Sequence, residues 1–214
     1  AYLLPLINLS FPIMCLILLA KEPTEEFKLV MASNRDEFYS RPTKPAHWWE
    51  APIDLLAGKD LELGGTWMGV SKKGKFAAVT NVREFYSQDY LEKDFLSRGD
   101  LVKNFFVTDL NIETYIDSLD LKRYLGFNLV LFDSDEISIC SSNGKEKFKK
   151  GDKYFVIGNK SFGSNSNKIS SARKDFEDIL SNDFSNDDLL SLMQNPQEFY
   201  EFDQEKLSNN HGNE

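Results

Sequence analysis

The stretch Met14-Cys15-Leu16-Ile17-Leu18-Leu19-Ala20 decides how the rest of the chain is read. After the cysteine the apolar residues follow one another without polar alternation, over the length of a strand. That is the pattern of a strand buried on both faces. Such a strand needs a covering layer on each side of its sheet. Next come the turn "KEPTEE" (21–26) and a second strand-like run, "FKLVMASN" (27–34), closed by Arg35-Asp36-Glu37. The two runs form a predicted hairpin. Antiparallel pairing sets the start of the first against the end of the second, and so Cys15 against Arg35.

Outward from this hairpin, "SRPTKPAHWW" (40–49) reads as a Pro-rich loop. Strands are expected at 55–60, 66–71 and 75–82, the last two joined by a tight turn at "KKG" (72–74). Helices follow at 97–108 and 111–121, strands at 127–133, 136–142 and 153–159, and two closing helices at 167–181 and 186–195. Hairpins instead of alternating strand–helix–strand units indicate an α+β fold with antiparallel sheets. The doubly buried first strand extends this to a four-layer αββα sandwich.

The 13 residues before Met14, "AYLLPLINLSFPI", carry no basic group, and Pro5 and Pro12 interrupt their apolar run. They are expected to be an extraneous leader or a start assigned too early, not a membrane span. The domain itself is expected over 14–195. Residues 196–214 are expected to form a polar tail where the domain is cut short.

Composition narrows the function. A net charge of -9 over 214 residues disfavours a nucleic-acid partner. Two cysteines, Cys15 and Cys140, and two histidines, His47 and His211, provide neither a disulfide framework nor a thiol-based metal site. The expectation is a reducing, cytoplasmic setting with no metal and no cofactor. With so little histidine, nucleophilic catalysis needs another base. Removal of Met14 would supply one. An N-terminal Cys15 carries its own α-amine, whose pKa of about 7.7–8.0 suits it to accept the thiol proton.

Other candidates join this picture by chemistry. The guanidinium of Arg35 favours a thiolate, and the carboxylate of Asp36 can orient the amine. Asn81 and Asn159, each at a strand end, offer side-chain N–H groups for an oxyanion. Adjacent residues of a strand point to opposite faces, so Arg35 and Asp36 can both serve Cys15 only if the strand has ended or bulged. Trp67 either lines a ligand pocket or packs beneath the hairpin. His47-Trp48-Trp49 places one imidazole beside two indoles, too little by itself to define a haem ligand set.

Taken together, "MCLILLA", "SNRDEFYSRPTKPAHWW", "LLAGKDLELGGTWMGVSKKGKFAAVTNVRE", "SRGDLVKNFF" and "GFNLVLFD" resemble the NRDE family, also called the transport and Golgi organisation 2 family. The resemblance covers about residues 14 to 182. It implies a fold like that of the N-terminal nucleophile hydrolases and a start at Met14. It also implies, from the choloylglycine hydrolase and penicillin V acylase group, that Cys15, Arg35, Asp36 and Asn81 take catalytic roles, with Asn159 aligned to a family asparagine. Asn34 and Trp67 are expected at the substrate. Two departures stand out. Arg35 and Asp36 are adjacent, where the acylases separate them, and a Pro-Trp-Pro segment of the family is absent after Asn159. The expected function is a thiol-dependent hydrolase acting on a linear amide of a small or lipid-like substrate, without stable membrane insertion. The alternative is a non-catalytic carrier of a hydrophobic ligand, haem or lipid, tied to secretory organisation.

Overall fold

The computed structural model describes residues 15–35, 37–82, 94–108, 110–145, 152–160, 162–163 and 167–194. The segments expected as leader and polar tail lie outside them, as does Asp36. The first hairpin forms as expected from β1 (Leu16–Lys21) and β2 (Leu29–Asn34), in antiparallel register from Leu16 opposite Asn34 to Lys21 opposite Leu29. On its other edge β1 pairs antiparallel with β10 (Tyr154–Ile157), giving a sheet ordered β10-β1-β2. The second sheet runs in the order β3 (Thr43–Trp48), β4 (Leu56–Asp60), β5 (Met68–Val70), β6 (Phe76–Asn81), β7 (Phe127–Asp133), β8 (Glu136–Ser141) and β9 (Gly144–Lys145). Each neighbour in it is antiparallel.

The period of two in β1 explains the layers. Ile17 and Leu19, with Phe155 of neighbouring β10, face the second sheet, where they meet Phe76, Ala78, Val130 and Phe132. Leu16, Leu18 and Ala20 point the other way, onto Phe176, Leu180 and Leu192 of α3 (Asn167–Leu180) and α4 (Asn186–Gln194). The outer face of the second sheet, through Ala77, Val79, Leu129 and Leu131, packs on α1 (Arg98–Val107) and α2 (Ile112–Asp117). The result is the four-layer αββα sandwich. Leu16 to Leu19 are each at most 1% exposed. Each such side chain contributes about 1.5–3 kcal/mol over its exposed state, which is why no polar residue interrupts the run.

Two local expectations give way to the structure. The Pro-rich stretch 40–49 is not loop throughout, because Thr43–Trp48 forms β3. This is an edge strand whose register on β4 shifts between Lys44 and His47, with Pro45 inside the shift. At an edge the missing N–H of proline costs no ladder bond, and five of the six residues are exposed, so no apolar pattern announces the strand. The second helix stops at Asp117, because the Ser118 hydroxyl donates to the carbonyl of Tyr115 at 2.7 Å and closes the last turn. A short 3-10 turn, Leu121–Arg123, follows.

The motifs "LGGTW" and "SRGD" explain each other. A Cβ on Gly65 would lie 2.7 Å from the backbone carbon of Gly99, and the Thr66 N–H donates to the Gly99 carbonyl at 3.3 Å. Ser97 caps α1 by accepting the N–H of Gly99 at 3.2 Å. Paired glycines thus let the start of α1 sit directly on the chain entering β5.

Candidate functional site

Because Leu16 opposes Asn34, the hairpin opens where Cys15 and Arg35 leave the ladder. The side chain of Asn34 does not end in the cleft. Its Oδ1 accepts the Leu16 N–H at 3.0 Å and fixes the chain just after Cys15. Cys15 is half-buried and lines a cleft of about 890 Å³ together with Arg35, Trp67 and Asn81. Met31, Met68 and Phe76 form the apolar floor of this cleft, and Arg41, Lys44, Lys59, Asp60 and Arg98 give it a charged rim.

Asn81, the last residue of β6, is exposed toward the cleft, and its main-chain carbonyl accepts the side-chain N–H of Asn159 at 2.8 Å. Asn159 is 9% exposed, and its Oδ1 is buried with no hydrogen-bond partner. The amide must face this way, since the reverse would set two oxygens against each other. One N–H of Asn159 is therefore committed to bracing Asn81, and the second is left for other use.

Behind these asparagines lies a polar clamp that composition and spacing did not signal. Asn128, fully buried on β7, donates to the carbonyls of Lys160 at 2.9 Å and Gly158 at 3.3 Å. With only two N–H groups, it shares one of them with the Thr80 hydroxyl at 3.2 Å, and its Oδ1 accepts the Phe162 N–H at 3.0 Å. Thr80 in turn donates to the Gly158 carbonyl at 2.8 Å. Thr80 precedes Asn81 and Gly158 precedes Asn159, so the clamp sets the spacing of the two asparagines across the two sheets. The sole hint in the sequence was one asparagine inside the apolar run "FNLVLFD".

The rim is an ion-pair network. Arg35 Nη2 lies 2.7 Å from Glu37 Oε2, so its positive charge is shared with a carboxylate before any thiolate competes for it. The pairing partner is the fourth residue of the Asn-Arg-Asp-Glu motif, which residue-type reasoning passed over. Arg41 donates to Asp60 Oδ2 through Nη2 at 2.7 Å and Nε at 3.1 Å, with Glu62 at 3.3 Å from Nη1. Partial burial of Asp60 pushes its carboxyl up. The bond from Arg41 and the N–H groups of Glu62 and Leu63 outweigh that, holding it below the usual carboxylate range.

Trp67 lies on the cleft wall and also packs against the core beneath α1. His47 sits on β3, where its Nδ1–H donates to the Pro45 carbonyl at 2.8 Å and its ring stacks 6.4 Å from Trp49. Among the described residues no three metal-ligating side chains gather. No helix among them is long and apolar enough to cross a membrane.

Similarity to other proteins agrees with this architecture. A Caenorhabditis elegans N-acylethanolamine-hydrolyzing acid amidase ortholog superposes with a TM-score of 0.58 at 8% identity, over 84% of this chain and 86% of that one. The shared feature is the fold of the N-terminal nucleophile hydrolases. Among sequence relatives, the Homo sapiens Transport and Golgi organization protein 2 homolog is 40% identical over 129 residues, 56% of this chain and 45% of the human protein. The matched stretch thus spans less than half of that relative. The Drosophila melanogaster Transport and Golgi organization protein 2 is 27% identical over 90% of this chain and 76% of its own length. The family model described as Transport and Golgi organisation 2 matches residues 14–213, and the chain belongs to that family.

Proposed function

We propose that the cleft is the active site of a thiol-dependent N-terminal nucleophile hydrolase for the linear amide of a small or lipid-like acyl compound. The observation that carries the reading is the meeting of Cys15, Arg35 and Asn81 in one cleft with an apolar floor. Cleavage of the Met14–Cys15 bond would turn the amine of Cys15 into the general base. The thiol passes its proton to that amine and sulfur adds to the amide carbonyl. The side-chain N–H groups of Asn81, joined by the second N–H of Asn159, hold the oxyanion. Collapse breaks the carbon–nitrogen bond, the leaving amine takes the proton, and water then hydrolyses the thioester to free acid and thiol. Arg35 stabilises the thiolate in competition with Glu37, and Asp36 orients the amine. Asn34 acts on the substrate side by holding the backbone beside Cys15, and Trp67 provides an apolar wall for the acyl chain. The fold neighbour is named for hydrolysing N-acylethanolamines, which supports a fatty-acyl amide as the substrate class.

Intact-mass measurement of the expressed protein and the pH profile of iodoacetamide labelling test this. A chain beginning at Cys15, with a labelling midpoint below that of an ordinary thiol at about 8.5, is expected. A Cys15 that stays internal and labels like an ordinary thiol would sink the proposal.

The Arg35–Glu37 pair favours a second reading, because a guanidinium held at 2.7 Å by a carboxylate activates sulfur less. In that reading the chain is a cytoplasmic carrier for a hydrophobic ligand, haem or lipid, in keeping with relatives named for transport and Golgi organisation. Ligand binding retained in full by Cys15→Ala, with no turnover in the native chain, would favour the carrier.

A further inference from the structure

We propose that loops 37–41 and 60–63 form a docking lip that seats the mouth of the cleft on an anionic lipid bilayer. Phe38 is 70% exposed, Tyr39 is fully exposed, and Leu61 and Leu63 are each 54% exposed. Single exposed apolar residues are ordinary, whereas four large ones on two joined loops mark an interaction surface. The loops are joined by the Arg41–Asp60 pair and by the Leu61 N–H donating to the Pro42 carbonyl at 3.0 Å. Asp60 Oδ1 accepts the N–H groups of Glu62 at 2.9 Å and Leu63 at 3.3 Å, while the Arg41 N–H closes a turn onto the Phe38 carbonyl at 2.9 Å. The apolar side chains are therefore displayed on a pre-ordered frame, which lowers the cost of docking. Phe38 and Leu63 also line the cleft, so the lip is continuous with its mouth.

Charge selects the bilayer as the occupant. Lys44 and Lys59 are cross-strand partners on β3 and β4, and both line the cleft beside the lip. Like charges directly opposite each other weaken a bare sheet and become favourable beneath anionic headgroups. The nearby carboxylates Glu37, Asp60 and Glu62 are held by Arg35 and Arg41. The chain as a whole carries -9, so the remaining surface is repelled by the same membrane and the lip is turned toward it. Phe and Tyr at the tip match the headgroup boundary, where aromatic rings settle. Docking of this kind serves a hydrolase and a carrier equally and uses no chemistry of Cys15.

Flotation of the full chain tests it, with vesicles of phosphatidylcholine alone and of phosphatidylcholine with about one-third phosphatidylserine. The chain is expected to float with the anionic vesicles. The variant Phe38→Ser/Tyr39→Ser/Leu61→Ser/Leu63→Ser should lower partitioning at least about tenfold. Lys44→Glu/Lys59→Glu should lower it on anionic vesicles and leave neutral ones unaffected, and Leu190→Ser, on exposed α4 surface, should change nothing. Circular dichroism checks folding, and Tyr39→Ser alone, expected to lose about threefold, stands in if the fourfold variant misfolds. Three results would each overturn the proposal: a chain that stays in solution with both vesicle types, a fourfold variant that floats like the parent, or a dimer that the fourfold variant dissolves while neither form floats. None of them bears on the thiol labelling of Cys15, so the hydrolase reading is judged separately.

Discussion

The chain contains two cysteines, and their surroundings are opposites. Cys140 lies on β8 with no exposed surface, in the apolar cluster between the second sheet and its helices. Cys15 precedes β1, half-buried at a cleft with charged residues along its rim. One thiol is packing material, and the other stands where a nucleophile can meet a ligand. A cysteine's role therefore follows from where its strand begins relative to the sheet. Cys140 sits in mid-ladder opposite Leu129, while Cys15 sits one residue before the ladder starts at Leu16.

This contrast is open to attack. The largest expected effect is in labelling itself. In the native chain Cys15 should react with iodoacetamide at least about a hundredfold faster than Cys140, which becomes accessible only through unfolding. Comparable rates, read by mass spectrometry of the labelled peptides, would end the distinction. Next in size is Asn128→Ala. It leaves the Lys160 carbonyl and the Phe162 N–H without their buried partner, and should cost about 2–4 kcal/mol in denaturant unfolding. Because Asn128 opposes Ser141, next to Cys140, labelling of Cys140 should rise in step with the lost stability. Gly65→Ala should cost about 1–3 kcal/mol by forcing α1 off the second sheet, measured as a lower unfolding midpoint. Glu37→Gln sharpens the contrast from the other side. In the proposed hydrolase, loss of that carboxylate at 2.7 Å would leave Arg35 to act on Cys15 undivided, and the labelling midpoint of Cys15 should fall by about half to one pH unit while Cys140 is unmoved.

The smallest effect concerns pH. The carboxyl of Asp60 is depressed in the folded chain, so its stabilisation is complete above the ordinary carboxylate pKa of about 3.9 and is lost as pH falls through the lower folded value. Asp60→Asn should remove about 1 kcal/mol at neutral pH and flatten the acid limb of the stability curve by that amount. An acid limb identical in the two proteins would show that the pair contributes nothing.

What was legible in the sequence followed from one-dimensional patterns with a single structural meaning. The unbroken apolar run Leu16 to Ala20 could exist only between two layers, and the hairpin after it set Cys15 against Arg35 by antiparallel counting alone. β3 was not legible, because an exposed edge strand with a proline carries no apolar period. The Asn128 clamp and the Arg35–Glu37 pair were hidden for another reason. The clamp reaches residues 30 or more positions away, and only the folded chain decides which carboxylate a guanidinium finds. Asn34 holds the Leu16 N–H, a role that depends on where an amide points and not on which residue it is.

The burial of β1 also orders events in the life of the molecule. An endoprotease grips several residues on each side of the bond it cuts, in extended form. Just past Cys15 those residues are Leu16, paired on β2, and Ile17, paired on both edges, each exposed by no more than 1%. Once the sandwich has closed, such an enzyme has nothing to grasp on that side. If the chain is the hydrolase proposed above, maturation at Cys15 would therefore be completed while the chain is still being made, by stepwise trimming from its beginning, or by the folded molecule acting on itself.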